Sequence, residues 1–205
     1  MTMPTTVRVP SARFGRWMEN FASRHGETEL VVGGGSLAGE ASDGSTFVAR
    51  LPFATSYAGP ADAASFAAAA AAPDVWGVLL VRKGGFAVAR LHGDGLVEHK
   101  IGQRHVQGRT KAGGQSQQRF ARRRDNQARQ AYEAAADHAA RILGQRALPL
   151  VTGGDHVAVE EVLADPRLRR VTVVEPWLAV PDPRRAVLDR AIEEAVAVAV
   201  DVVNR

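Results

Sequence analysis

VWGVLLVRKGGFAVARLHGDGLVEHKI, residues Val75 to Ile101, breaks into three short β-rich runs: Trp76–Val81, Phe86–Leu91 and Leu96–Ile101. Their valine, leucine and phenylalanine suit a pleated, half-buried surface, and each run has the length of an ordinary strand. The joints are Lys83-Gly84-Gly85 and His92-Gly93-Asp94-Gly95. Glycine at such joints supplies the positive φ of a tight hairpin, so the stretch predicts an antiparallel β-meander.

Downstream, Gly102–Gln118 is rich in glycine and glutamine, lacks an apolar period and predicts a long loop. Long loops in compact domains are usually functional or mobile. A helix is expected from Gln118 to Leu143, with Phe120, Ala128, Ala131, Ala135, Ala139 and Ile142 on its buried stripe and Gly144 at its end. Then Leu148–Thr152 reads as a strand, Asp155 as the cap of a helix to about Ala164, Val171–Glu175 as a strand and Arg184–Val203 as a final helix. A meander, a helix and then β-α-β-α predict an α/β domain over residues 73–205, a mixed β-sheet with flanking helices.

Upstream, Ser11 is placed to cap a helix whose Phe14, Trp17, Met18 and Phe21 recur at helical spacing. Glu29–Val32 and Thr46–Phe53 read as strands, separated by Gly33-Gly34-Gly35-Ser36 and Asp43-Gly44. The glycine run follows a strand as a phosphate loop would, but no GxGxxG or GK[ST] pattern completes it, so it predicts a turn. Residues 1–72 are therefore expected to form a small N-terminal α+β extension, ending in the alanine-rich connection Pro60–Pro73.

The composition, 45% hydrophobic and 23% charged, is that of a globular chain with a real core. With no cysteine, disulfides and thiolate metal sites are excluded and a reducing cytoplasm is the default compartment. No stretch has the roughly 18 apolar residues of a membrane span, and the N-terminus lacks the apolar core of a signal peptide. Charge is uneven. Between Arg104 and Arg129 stand eight basic residues against the single acid Asp125, a segment of +7 in a chain of +4, which leaves −3 on the remainder. A localised polyanion site is implied, with a solvated basic face as the alternative.

Within that segment lies Lys111-Ala112-Gly113-Gly114-Gln115-Ser116-Gln117-Gln118-Arg119. Paired glycines free the backbone for positive φ and let it lie directly against a substrate. Their successive N–H groups can converge on one developing oxyanion. Gln115 adds an uncharged amide that donates and accepts, able to orient a water or a ribose hydroxyl though not to act as a general base. Arg119, Arg122, Arg123, Asn126 and Arg129 then recur at i, i+3, i+4, i+7 and i+10, along one helical face. Such a stripe, with Arg109, Lys111 and Ser116 before it, is suited to guide a phosphate backbone past the glycines. Arg124 falls nearer the apolar stripe, as a structural residue would.

The run Gly113-Gly114-Gln115-Ser116-x-x-Arg119-Phe120-x-Arg122-x-Arg124 closely resembles the GGQSxxRFxRxR signature of the middle domain of the eukaryotic and archaeal class-one translation termination factor. The order of elements from Val75 to Val203 resembles that domain as well. The resemblance implies an RNase H-like (pelota-type) sheet, catalytic roles for Gly113, Gly114 and Gln115, and RNA contacts from Arg109, Lys111, Ser116, Arg119, Arg122, Arg123, Asn126 and Arg129. Two features depart from it: Lys111-Ala112 stands where the family usually has a Gly-Arg pair, and 205 residues leave no space for codon-reading or GTPase-binding domains. A GGQ domain without decoding looks like the Vms-type release factors of ribosome quality control, in a stand-alone bacterial form. That implies codon-independent hydrolysis of peptidyl-tRNA on stalled ribosomes or large subunits. The expected partners are the rRNA of the peptidyl transferase centre and peptidyl-tRNA; no cofactor, no membrane and a monomeric chain are expected.

Other chemistries fit less well. A two-metal nuclease needs clustered carboxylates on its strands, whereas Val75–Arg82 has only Asp74 at its edge, and Asp94 and Glu98 sit near a hairpin. His25, His92, His99, His105, His138 and His156 show no metal-ligand spacing. His105 reads as an RNA contact or turn residue, and Gly153-Gly154-Asp155 as a helix cap. The competing function is a non-catalytic RNA- or ribosome-binding module using the same basic helix.

Overall fold

A computed structural model describes residues 4–103, 115–144 and 146–205, with side chains in the long helix described from residue 129 onward. The chain opens with β1 (Thr5–Val9), α1 (Ser11–His25), β2 (Thr28–Gly33), β3 (Ser36–Ala41), β4 (Thr46–Arg50) and α2 (Ala63–Ala68). The meander follows as β5 (Val75–Arg82), β6 (Gly85–His92) and β7 (Gly95–Gln103). Then come α3 (Gln115–Leu143), β8 (Leu148–Gly154), α4 (His156–Leu163), β9 (Val171–Leu178), α5 (Arg185–Ala195) and β10 (Val198–Val203). The fold is α/β, in two compact units: Met1–Ala72 with Ile192–Arg205, and Pro73–Ala191.

The first unit is an antiparallel sheet in the order β1-β10-β4-β3-β2. α1 buries Phe14, Met18 and Phe21, and α2 buries Phe66, in one core with Leu37, Phe47, Ala49, Val198 and Val200. Burying each of the phenylalanine, methionine, leucine and valine side chains is worth about 1.5–3 kcal/mol. Gly39 makes room for it: a Cβ there would lie 2.2 Å from Cε1 of Phe47.

Two expectations need correction here. The final helix was expected to run to Val203, but α5 stops at Ala195 and the chain becomes β10. Val198, Val200 and Val202 alternate with smaller or polar residues, and this period of two, with β-branched side chains, wins over the helical period. The new strand inserts between β1 and β4, Val200 opposite both Val7 and Ala49. Residues 192–205 therefore belong to the first unit rather than to a second domain reaching residue 205.

The second unit's sheet has the order β7-β6-β5-β8-β9. β5 pairs antiparallel with β6 and parallel with β8, β6 antiparallel with β7, and β8 parallel with β9. That is the RNase H-like order, with the second strand against the other four, as the resemblance implied. Six consecutive residues of β5, Trp76 to Val81, are buried, the pattern of a central strand covered on both faces. Leu79, Val81, Phe86 and Val88 pack against Ala135, Ala139, Ile142 and Leu143 of α3 and Val159 and Val162 of α4. α3 comes close enough that a Cβ on Gly77 would sit 2.6 Å from Leu143 Cδ2.

Candidate functional site

β7 is an edge strand, and its last residue, Gln103, pairs with Gly85 at the β5–β6 turn. From that end of the sheet the chain runs toward α3. Arg109, Lys111, Gly113 and Gly114, and His105 with them, lie outside the described residues. The helix was expected from Gln118, but it begins at Gln115. Gln115 is thus the first helical residue rather than part of a loop, and the helix N-terminus follows directly on the two glycines. The first amides of a helix have no partner within it and carry its positive dipole end, which favours a developing negative charge nearby.

α3 is 29 residues long, about 43 Å at 1.5 Å per residue. Tyr132 is the first described residue packed against the core, so the axis rises about 25 Å between it and Gln115. Ser116, Arg119, Arg122, Arg123 and Asn126 occupy this rise; their backbone is helical and their side chains are outside the described set. At about 100° per residue, positions 119, 122, 123 and 126 share the sector of Gln130, Glu133, Asp137 and Arg141, all exposed. They lie roughly opposite Ala135, Ala139 and Ile142, which are buried. Arg129, at the edge of that sector, is exposed, with its Nε 4.0 Å from Glu133.

The other end of α3 is latched twice, to the sheet and to the turn that follows α4. Arg141 bonds to Glu98 of β7, whose second carboxylate oxygen is 3.7 Å from Arg90 of β6. Arg167, in the 3-10 turn Pro166–Leu168, donates to Asp137 of α3 at 2.6 Å and to Asp165 at 2.6 Å. The side-chain and backbone donors of Arg167 hold the Asp165 carboxyl down at about 2, and both carboxylates push the guanidinium up. Phe86 and His138 stack with ring centres 5.6 Å apart. These contacts were not foreseen from the sequence. Nothing local signals them, since Glu98 and Arg141 lie 43 residues apart and Asp137 and Arg167 lie 30.

Beside the Arg167 latch lies a cleft of about 350 Å³ lined by Tyr132, Glu133, Asp137, Glu161 and Arg167 among others. Burial raises the Tyr132 phenol, and the carboxylates of Asp155 and Glu161 add to the rise. Asp155 caps α4 as expected, accepting from the Ala158 amide at 3.3 Å. Among the described residues no group of His, Asp and Glu could hold a metal ion. Nor is any helix among them long and apolar enough to cross a membrane.

Three comparisons bear on this chain. A family model described as the Actinobacteria/chloroflexi VLRF1 release factor matches residues 74–201. No curated protein matches. A solved structure described as "Vms1 mitochondrial localization core" aligns with a TM-score of 0.38 and 12% identity, over 80% of this chain and 75% of that one.

Proposed function

Because the chain belongs to the Actinobacteria/chloroflexi VLRF1 release factor family, we propose that it hydrolyses the ester of peptidyl-tRNA, without reading a codon, to free nascent chains from stalled ribosomes or large subunits. The observation that carries this is Gly113-Gly114-Gln115 meeting the first turn of a 29-residue helix that is anchored at its far end. A group that must enter the rRNA of the peptidyl transferase centre needs reach and a fixed bearing, and α3 with its two latches supplies both.

The chemistry follows from the residue types. The ester carbon passes through a tetrahedral state whose oxygen becomes negative. Backbone N–H groups around Gly113, Gly114 and Gln115 stabilise that oxygen, helped by the positive end of the helix dipole. The Gln115 amide orients the attacking water and carries no charge, so proton transfer falls to the ribose of the substrate or to rRNA. Arg109, Lys111, Ser116, Arg119, Arg122, Arg123, Asn126 and Arg129 bind phosphates and hold the loop at the ester. The reaction needs no cofactor and takes place in the cytoplasm, where the ribosome works.

Gln115→Ala tests this. Peptide release from peptidyl-tRNA on purified large subunits should fall on the order of 100-fold, the scale for losing a transition-state contact. Affinity for the subunits should be nearly unchanged. Release at the wild-type rate would leave a non-catalytic RNA-binding module as the better account.

A further inference from the structure

Arg13-Phe14-Gly15-Arg16-Trp17-Met18-Glu19-Asn20 in α1 has the pattern of Arg119-Phe120-Ala121-Arg122-Arg123-Arg124-Asp125-Asn126 in α3. Both read arginine, phenylalanine, small residue, arginine, two variable positions, acid, asparagine. In α1 every side chain is described. Phe14 is fully buried in the core of the first unit, while Arg13, Arg16 and Asn20 are exposed, and so is Arg24 one turn further on. At about 100° per residue these four positions fall within a sector of roughly 80°, and Arg13 and Arg24 are about 16 Å apart along the axis. Glu19, the one acid of α1, lies roughly a quarter turn or more from the middle of the stripe. None of the three arginines is ion-paired to another described residue.

We propose that this face of α1 is a second RNA-binding surface, which grips a phosphate backbone independently of α3. Arginines that neutralise no carboxylate of their own remain available to a polyanion, and their forked guanidinium suits phosphate oxygens. The apolar side of α1 is committed: Phe14, Met18 and Phe21 are in the core, so the helix has no apolar face left to insert into a lipid surface. A wholly polar, cationic stripe fits a phosphate chain and leaves base sequence unread. The choice of RNA over other polyanions rests on the release-factor reading. The existence of the surface does not.

The test compares full-length Arg13→Ala/Arg16→Ala/Arg24→Ala with a control, Arg146→Ala/Arg169→Ala/Arg184→Ala, which removes equal charge from exposed positions elsewhere. Binding to purified large ribosomal subunits is measured across a salt series. The α1 variant should lose affinity on the order of tenfold or more, and its log–log salt slope should flatten by about 2 to 3, at roughly 0.7–0.9 per lost phosphate contact. The control should match the wild type. Alanine is a better helix former than arginine, so an unaltered melting curve shows that α1 still forms. Unchanged affinity and slope in the α1 variant would overturn the proposal, as would an equal loss in the control. Capture of anionic lipid vesicles through the same arginines, as tightly as subunits, would overturn the assignment to RNA. Failure of the Gln115→Ala prediction would be separate, since that variant reports on release and this one on grip.

Discussion

At the scale of single residues, Asp165 shows what a latch contributes and when it is lost. Its carboxyl is held at about 2 against an ordinary 3.8, first by the Arg167 side chain and then by the Arg167 amide. A carboxylate lowered on folding adds stability above its ordinary value, and the gain disappears as pH falls through the folded one. Asp165→Asn keeps an acceptor for the Arg167 amide and removes the charge. The variant should melt below the wild type by a constant margin above about pH 5, and the two should converge between about pH 4 and 2. Thermal melts across that range check it; a margin that persists at pH 2 would mean the charge is not what Arg167 uses. The same latch holds Asp137 of α3, so the pair bears on where the helix points and not only on how stable the unit is.

At the scale of elements, the proposed function makes α3 the support on which Gln115 is presented. Ala128 lies in the helix between Gln115 and Tyr132. Ala128→Pro removes a helical hydrogen bond and clashes with the preceding turn, at about 3 kcal/mol or more, and breaks or kinks the stalk there. Release should fall at least about tenfold while the domain still folds, because the packing described for α3 runs from Tyr132 to Leu143, downstream of the break. The side chains of Phe120 and Ala128, expected on the buried stripe, lie outside the described residues. Wild-type release from this variant would show that a rigid stalk is not how the loop is presented. The meander and the body of α3 were legible because period and turn chemistry agree: β5, β6 and β7 carry their hairpin glycines, and Ala135, Ala139 and Ile142 keep helical spacing. β3 was not, since Ser36-Leu-Ala-Gly-Glu-Ala41 has little intrinsic strand character and owes its state to pairing with β2 and β4. β1 escaped notice for a similar reason, as its partner β10 lies at the other end of the chain. β10 was hidden by the alanines of the helix before it. Within the candidate site, the tripeptide and the arginine spacing are a reading of residue types alone, since Gly113, Gly114 and the side chains of Arg119, Arg122 and Arg123 lie outside the described residues. The long-range latches of Arg141 to Glu98 and Asp137 to Arg167 depend on tertiary contacts and carry no local signal in the sequence.

For the whole molecule, charge and architecture point the same way. The segment from Arg104 to Arg129 holds +7 in a chain of +4, and the first unit adds its own arginine stripe on α1. Phosphate contacts from both would give steep salt dependence to binding and no dependence on mRNA sequence. The claim on which the account stands is that the bond broken is the ester, cut by water, rather than a phosphodiester of the tRNA. The direct measurement is mass spectrometry of both products after release on stalled large subunits in heavy-oxygen water. Ester hydrolysis by water gives a free peptide with one heavy oxygen in its C-terminal carboxylate, and a tRNA whose 3′ end is intact. A peptide that leaves with a nucleotide still attached, or a tRNA shortened at its 3′ end, would contradict it.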